Sequence, residues 1–200
     1  FVNQLLYTII FIDNKWLDSA SGKTFETTNP HNGSVIAKVA EGDKLSIYSF
    51  ADVNLAVAAA KRAFHRNSEW RLLDASDRAK LLYKFADLVA RDLDYLAELE
   101  THNNGMLLKV NKMFIGGAVD FVRYNAGLAD KIVGNTIPAS ESAFSYTVKQ
   151  PVGVAALILP WNGPVFIFLS KVSAALAAGN YMDFNVGNTK NNQFTYKETT

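Results

Sequence analysis

The stretch from Gln150 to Asn180, QPVGVAALILPWNGPVFIFLSKVSAALAAGN, limits what this chain can become more than any other. An unbroken apolar run, Val154 to Leu159, is followed by the sharp turn Pro160-Trp161-Asn162-Gly163-Pro164. A second apolar run follows, with Gly179-Asn180 as its stop. The first run has strand length and the second helix length. Buried strand, tight turn, buried helix is the unit with which α/β proteins present a ligand at a strand's C-terminal end. From turn chemistry alone, Pro160 to Pro164 is simply a turn.

The rest of the chain is compatible with such a unit. Apolar residues make up 49% of the 200, enough to bury a core. The 20 basic and 19 acidic residues leave a net charge of +1, which argues against nucleic acid or an anionic membrane as partner. The absence of cysteine excludes disulfides, thiolate metal sites and a cysteine nucleophile from these residues. The run Val165 to Ala178 is too short to span a bilayer and carries Lys171. No signal-peptide pattern precedes Leu5 to Ile12, so a cytoplasmic location is expected, with a mitochondrial one as the alternative. The initial Phe1 suggests a fragment.

Upstream, Leu6 to Ile12 is expected as a strand, with Asp13-Asn14-Lys15 as a turn and Trp16-Leu17 pairing back. Thr24 to Thr28 and Val35 to Ala40 are strands around the hairpin signal Asn32-Gly33, together a small β meander. Val53, Val57, Ala60 and Phe64 form one helical stripe, with Asp52 in the first turn. One longer helix is expected over 74–100, capped by Asp74 or Ser76, with an Asp87–Arg91 surface pair and a stop at Asn103-Asn104-Gly105. Met113 to Val133 is a third helical segment. The Gly116-Gly117 pair costs it about 2 kcal/mol and places its firm start near Ala118. Gly134 to Ser142 is a polar connection and Ser145 to Lys149 a strand. Asp183 argues against a buried strand after Tyr181, and the residues from 183 on form a polar tail expected to be poorly ordered.

His31, His65 and His102 have no spacing that brings them together, so no metal site is expected. Gly116, Gly117, Gly127 and Gly134 do not form a dinucleotide fingerprint.

An ordered series of segments resembles the aldehyde dehydrogenase superfamily, nearest its NAD-dependent class 1 and 2 branch. The segments are FIDNKW, SGKTFETTNP, VIAKVAEGDK, ADVNLAVAAAKRAF, WRLLDASDRAKLLYKFADLVARD, LAELETHNNG, AVDFVRYNAGLADKIVGNTIP, SYTVKQPVGV and PWNGP with Lys171 and ALAAGN. The resemblance covers about residues 10–182. It implies an α/β fold: an incomplete Rossmann-like NAD-binding domain over 1–182 with an N-terminal hairpin arm, long helices and part of an oligomerisation hairpin at about 134–151. The catalytic domain is absent.

The resemblance also implies an activity, NAD-dependent oxidation of a small aldehyde to a carboxylic acid through a thiohemiacetal, in a dimer or tetramer. Asn162 aligns with the family's oxyanion donor. Leu159, Pro160 and Trp161 align with the segment lining the nicotinamide-side ribose of the cofactor. Lys171 aligns with a supporting lysine; read bottom-up, it equally fits a side chain snorkelling to solvent. There are departures. Asn185 and Val186-Gly187-Asn188 stand where the family has its ribose-binding lysine and glutamate segment, which argues against NAD binding by this chain alone. The phosphate-binding, glutamate and cysteine segments are missing, and Leu45 to Phe50 interrupts the register. The chain by itself is therefore expected to be inactive. The alternative is a non-catalytic subunit or structural protein that pairs with an intact dehydrogenase subunit or with itself.

Overall fold

The computed structural model describes residues 8–42 and 51–186. The readings that fell on Leu6 and Tyr7, on the Leu45–Phe50 interruption and on residues 187–200 lie outside these.

Two separate antiparallel hairpins open the chain, rather than one meander. Strands β1 (Ile10–Ile12) and β2 (Lys15–Leu17) pair directly, with Ile12 opposite Lys15. The connection is the two-residue turn Asp13-Asn14, both at positive φ (54° and 58°), a conformation these residue types tolerate. Phe11 and Trp16 face each other with ring centroids 4.8 Å apart. Strands β3 (Thr24–Thr28) and β4 (Val35–Ala40) have the expected bounds. Their loop is longer than a two-residue turn. Asn29 N–H donates to the Ser34 carbonyl at 2.8 Å, and Asn32 Oδ1 accepts from Ser34 N–H at 2.9 Å.

Helix α1 (Ala51–Ala63) carries the expected stripe. Asp52 does more than meet the helix dipole: it is buried, and its carboxylate accepts from the Ala20 N–H at 3.0 and 3.3 Å, tying the Ser19–Gly22 turn to the helix. A short helix, α2 (Glu69–Leu72), was not foreseen. Ser68 caps it by accepting from Arg71 N–H at 3.3 Å.

The expected single helix over 74–100 is two: α3 (Ala75–Arg91) and α4 (Leu93–Asn104). Asp92 breaks it with φ −97° and ψ 13°. The apolar period runs through the break, from Val89 to Leu93 to Ala97, so periodicity cannot reveal it. The Asp87–Arg91 pair does not form. Arg91 turns to Asp92 at 2.6 Å, and Asp87 reaches across to Arg123 at 3.0 Å. Asp74 is the N-cap residue, without a side-chain cap bond. Gly105 ends α4 at φ 78°, and an added Cβ there would lie 2.9 Å from Pro30 Cγ.

Helix α5 runs from Leu108 to Leu128, straight through Gly116-Gly117. Its start is ten residues earlier than Ala118. Burial outweighs propensity here. Ile115 is fully buried, and Asn111 donates to Thr101 Oγ1 on α4 at 2.8 Å. One buried Ile contributes about 1.5–3 kcal/mol, which offsets the glycine pair.

Strands β5 (Thr136–Ile137) and β6 (Ser145–Tyr146) form a small hairpin; β6 covers the first two residues of the strand expected over Ser145 to Lys149, and β5 lies in what was expected to be a polar connection. Strand β7 (Val154–Leu159), helix α6 (Pro164–Ala177) and strand β8 (Tyr181–Val186) complete a βαβ unit, with β7 and β8 parallel in the register Val154↔Tyr181 to Leu159↔Val186. Residues 183–186 thus belong to a strand, so the expected polar tail cannot begin at Asp183. β7 is less buried than its apolar run suggested, because β8 is its only paired neighbour among the described residues. Leu159 is buried, whereas Ile158 is 48% exposed.

The core lies among the helices. Ala86 and Val89 of α3, Ala97 of α4, Ile115, Ala118, Val119 and Val122 of α5 and Leu169 of α6 form one cluster. Leu82, Ala126, Ala129 and Ala177 form a second. α6 is therefore clamped from behind, and its N-terminal end is presented at the end of β7.

Candidate functional site

The site is built where β7 stops. Leu159 anchors the strand end with 4% exposure, and the chain leaves the sheet through Pro160 and Trp161, the latter 46% exposed. Asn162 is exposed. Gly163 is the N-cap residue of α6 and Pro164 occupies its first turn, where the missing N–H costs nothing. No side chain caps this helix from within, so its first N–H groups need partners from elsewhere.

The turn is held from the last two turns of α4. Asn104 Nδ2 donates to the Asn162 carbonyl at 3.1 Å. The Val165 backbone N–H stands near the Glu100 carboxyl and favours its charged form. Glu100 Oε1 lies 4.0 Å from where a Gly163 Cβ would stand, and 3.5 Å from Asn104 Nδ2. Glu100 is only 4% exposed, and its Oε2 has no hydrogen-bond partner. Burial pushes this carboxyl up to about 7, against a weaker downward pull from the Val165 N–H.

The structure brings together all the residues singled out from the sequence. Leu159, Pro160, Trp161 and Asn162 are consecutive at the strand end. Lys171, two turns into α6, folds back so that Nζ donates to the Ile158 carbonyl at 2.6 Å. It does not simply snorkel. The position opposite Ile158 on β8 is Asn185, and opposite Leu159 it is Val186. The residues standing in place of the expected ribose-binding lysine segment therefore lie level with the site.

Sequence reasoning missed Glu100 and Asn104. Glu100 had a signal. It falls on the apolar stripe, three residues after Ala97 and four after Leu96, where a carboxylate does not belong without a task. Asn104 had none beyond its place in a helix-stop triplet.

The remaining supports are buried. Asn125 Nδ2 of α5 donates to Ser173 Oγ of α6 at 2.9 Å, and Ser173 Oγ donates to the Leu169 carbonyl at 2.7 Å. At the far end, Asn180 Oδ1 accepts from Gly153 N–H at 3.1 Å, joining the starts of β7 and β8. Trp70 Nε1 donates to the carbonyls of Gly179 and Asn180 at 3.2 and 3.1 Å.

Among the described residues, no group of three or more His, Asp or Glu side chains is placed to hold a metal ion. His102 Nδ1 lies 3.3 Å from Asn29 Nδ2, and His65 Nδ1 accepts from Asn67 N–H at 3.4 Å, far apart in the chain and in different elements. No described helix is long and apolar enough to cross a membrane.

Comparison with known proteins agrees with this geometry. Residues 16–185 match the aldehyde dehydrogenase family. The chain is 50% identical over 175 residues to aldehyde dehydrogenase 1A1 of Equus caballus, covering 87% of this chain and 34% of that protein. It is 46% identical over 184 residues to the mitochondrial aldehyde dehydrogenase of the same organism, covering 92% and 36%. In structure it is similar to the NAD+ complex of an aldehyde dehydrogenase from Bacillus cereus, with a TM-score of 0.81 and 38% identity, covering 87% of this chain and 34% of that one. The chain thus spans about a third of the length of the relatives it matches. With residues 16–185 matched by the family model and half of the aligned residues identical to one of its members, this chain belongs to the aldehyde dehydrogenase family.

Proposed function

We propose that these residues supply the cofactor-side half of an active site that oxidises a small aldehyde to a carboxylic acid with NAD. The observation that carries this reading is Asn162. It sits at the end of a parallel strand, exposed, with its own carbonyl fixed by Asn104, so its side-chain amide is free to serve a ligand. Crevices beyond the C-terminal ends of parallel strands are where α/β proteins bind ligands.

In this reading the Asn162 amide donates to the aldehyde oxygen as that oxygen gains charge. A donor of this kind contributes about 3 kcal/mol to the transition state. The nicotinamide cofactor, when bound, supplies the hydride acceptor. Leu159, Pro160 and Trp161 form the wall beside its ribose, and Lys171 fixes that wall through the Ile158 carbonyl. The residue types fit this part of the cofactor. They fit its adenosine ribose poorly, because Asn185 brings no positive charge. The thiol that attacks the aldehyde is not among these 200 residues, which contain no cysteine. On their own they hold the donor without the nucleophile, and they turn nothing over.

The test is direct. The purified chain is incubated with NAD and a small aldehyde and NADH is followed by its absorbance; a rate above a buffer blank sinks the claim of inactivity.

A second reading is favoured by the β5–β6 hairpin. Phe144, Tyr146 and Val148 there are 77%, 62% and 65% exposed. We propose that this hairpin seats against a second copy of the chain or against an intact dehydrogenase subunit. Co-purification with such a subunit supports this reading; a strictly monomeric chain that captures none contradicts it.

A further inference from the structure

The proposed role of Asn162 depends on where its amide points, and that is decided by a turn with no cap of its own. We propose that Glu100 and Asn104 of α4 are positioning residues that lock the Asn162–Val165 turn from below and so fix the Asn162 amide. This rests on the reading of Asn162 as the oxyanion donor.

Three observations carry it. First, α6 lacks an internal N-cap: Gly163 has no side chain, and Pro164 offers no N–H. Second, α4 reaches the turn from two positions four residues apart, which share one helix face. Asn104 Nδ2 holds the Asn162 carbonyl at 3.1 Å, and the Glu100 carboxyl stands against the turn, its Oε1 4.0 Å from where a Gly163 Cβ would lie. Asn104 also reaches Glu100 Oε1 at 3.5 Å, so the two act as one bracket. Third, Glu100 is buried at 4% exposure with Oε2 unpartnered. A buried carboxyl with an unused oxygen is a poor device for stability alone, because an apolar side chain of the same volume serves better. It is a better device for holding polar geometry, because it faces the Asn104 amide and the uncapped start of α6.

The chemistry asks for such a bracket. An oxyanion donor works only when its N–H is aimed before the charge develops. Misplacement by about 1 Å costs roughly a hundredfold in rate. A turn hung only from β7 and the Leu169 end of α6 has no anchor on the α4 side; Asn104 and Glu100 provide it.

The experiment uses the 200-residue chain labelled with ¹⁵N and needs no aldehyde. The reporters are the Asn162 side-chain amide and the Val165 backbone amide. The Asn125 side-chain amide, bonded to Ser173 in the same core, is the control. We expect Val165 to exchange with solvent at least about tenfold slower than an unfolded peptide. Asn104→Ala and Asn104→Asp shift and broaden the Asn162 signal while Asn125 stays put. Glu100→Leu speeds Val165 exchange about tenfold. Glu100→Gln, which keeps the shape and an acceptor oxygen, restores slow exchange and the wild-type Asn162 signal. Asn162 signals unmoved in both Asn104 variants, or moved in step with Asn125, overturn the proposal. A wild-type Val165 amide exchanging at the unfolded rate overturns it as well. Whether Asn162 serves an aldehyde is decided separately by turnover, so the two ideas fail on different measurements.

Discussion

Lys171 Nζ donates to the Ile158 carbonyl at 2.6 Å, closing α6 back onto the strand that precedes it. The bond joins the first turns of the helix to the last peptide but one of β7, across the turn that holds Asn162. A charged donor to a backbone carbonyl is worth about 1.5–3 kcal/mol when buried, and less here, because Lys171 is exposed. Lys171→Met is expected to lower stability by about 1 kcal/mol. Urea denaturation measures it; an unchanged midpoint means the bond contributes nothing in solution.

Glu100 makes stability depend on pH. Its carboxyl is raised from 4.5 to about 7 in the fold, chiefly by burial. The fold therefore favours the protonated form. That contribution is fully present below 4.5 and is lost as pH rises through about 7. Glu100→Gln removes the dependence. The wild-type denaturation midpoint is expected to fall between about pH 5 and pH 8, and that of the variant to change less. Parallel profiles for the two proteins contradict the assignment.

The Asn125–Ser173 bond at 2.9 Å is sealed inside the helical core. Ser173→Ala leaves the Asn125 amide buried without its acceptor, at an expected cost of about 1–3 kcal/mol. Replacing both partners, Asn125→Leu with Ser173→Ala, is expected to recover part of that loss. A thermal melt of the wild type and the two variants checks the order.

Two glycines give opposite predictions. Gly179 has φ 80°, and an added Cβ would meet Pro151 Cγ at 3.0 Å, so Gly179→Ala is expected to destabilise by about 1–3 kcal/mol. Gly117 sits inside α5 with nothing within 4 Å of an added Cβ. Gly117→Ala is expected to stabilise by about 1 kcal/mol through helix propensity. Chemical denaturation of both variants tests the contrast, and a Gly117→Ala variant less stable than wild type breaks it.

How much of this was legible from residues alone follows the range of each interaction. The hairpin strands, α1, the Gly105 stop and the β7–turn–α6 unit were readable, because alternation, helical period and turn residues are local. The break at Asp92 was not, because Val89, Leu93 and Ala97 keep their spacing across it. The early start of α5 was not, because Asn111 and Ile115 are held by contacts with α4 and the core rather than by propensity. β8 was set aside on account of Asp183, yet its backbone pairs with β7 along six residues. Within the site, Asn162 and Lys171 were found through family likeness, and the destination of Lys171 only through the fold. Glu100 and Asn104 belong to a different helix, some sixty residues away from the turn they hold, and no local pattern links them.

The most direct test of the central claim is turnover by a complete aldehyde dehydrogenase in which these residues replace the matching segment. With Asn162→Ala, kcat for aldehyde oxidation is expected to fall by about 10²–10³ with little change in the KM for NAD. An Asn162→Ala enzyme with unchanged kcat would contradict the account.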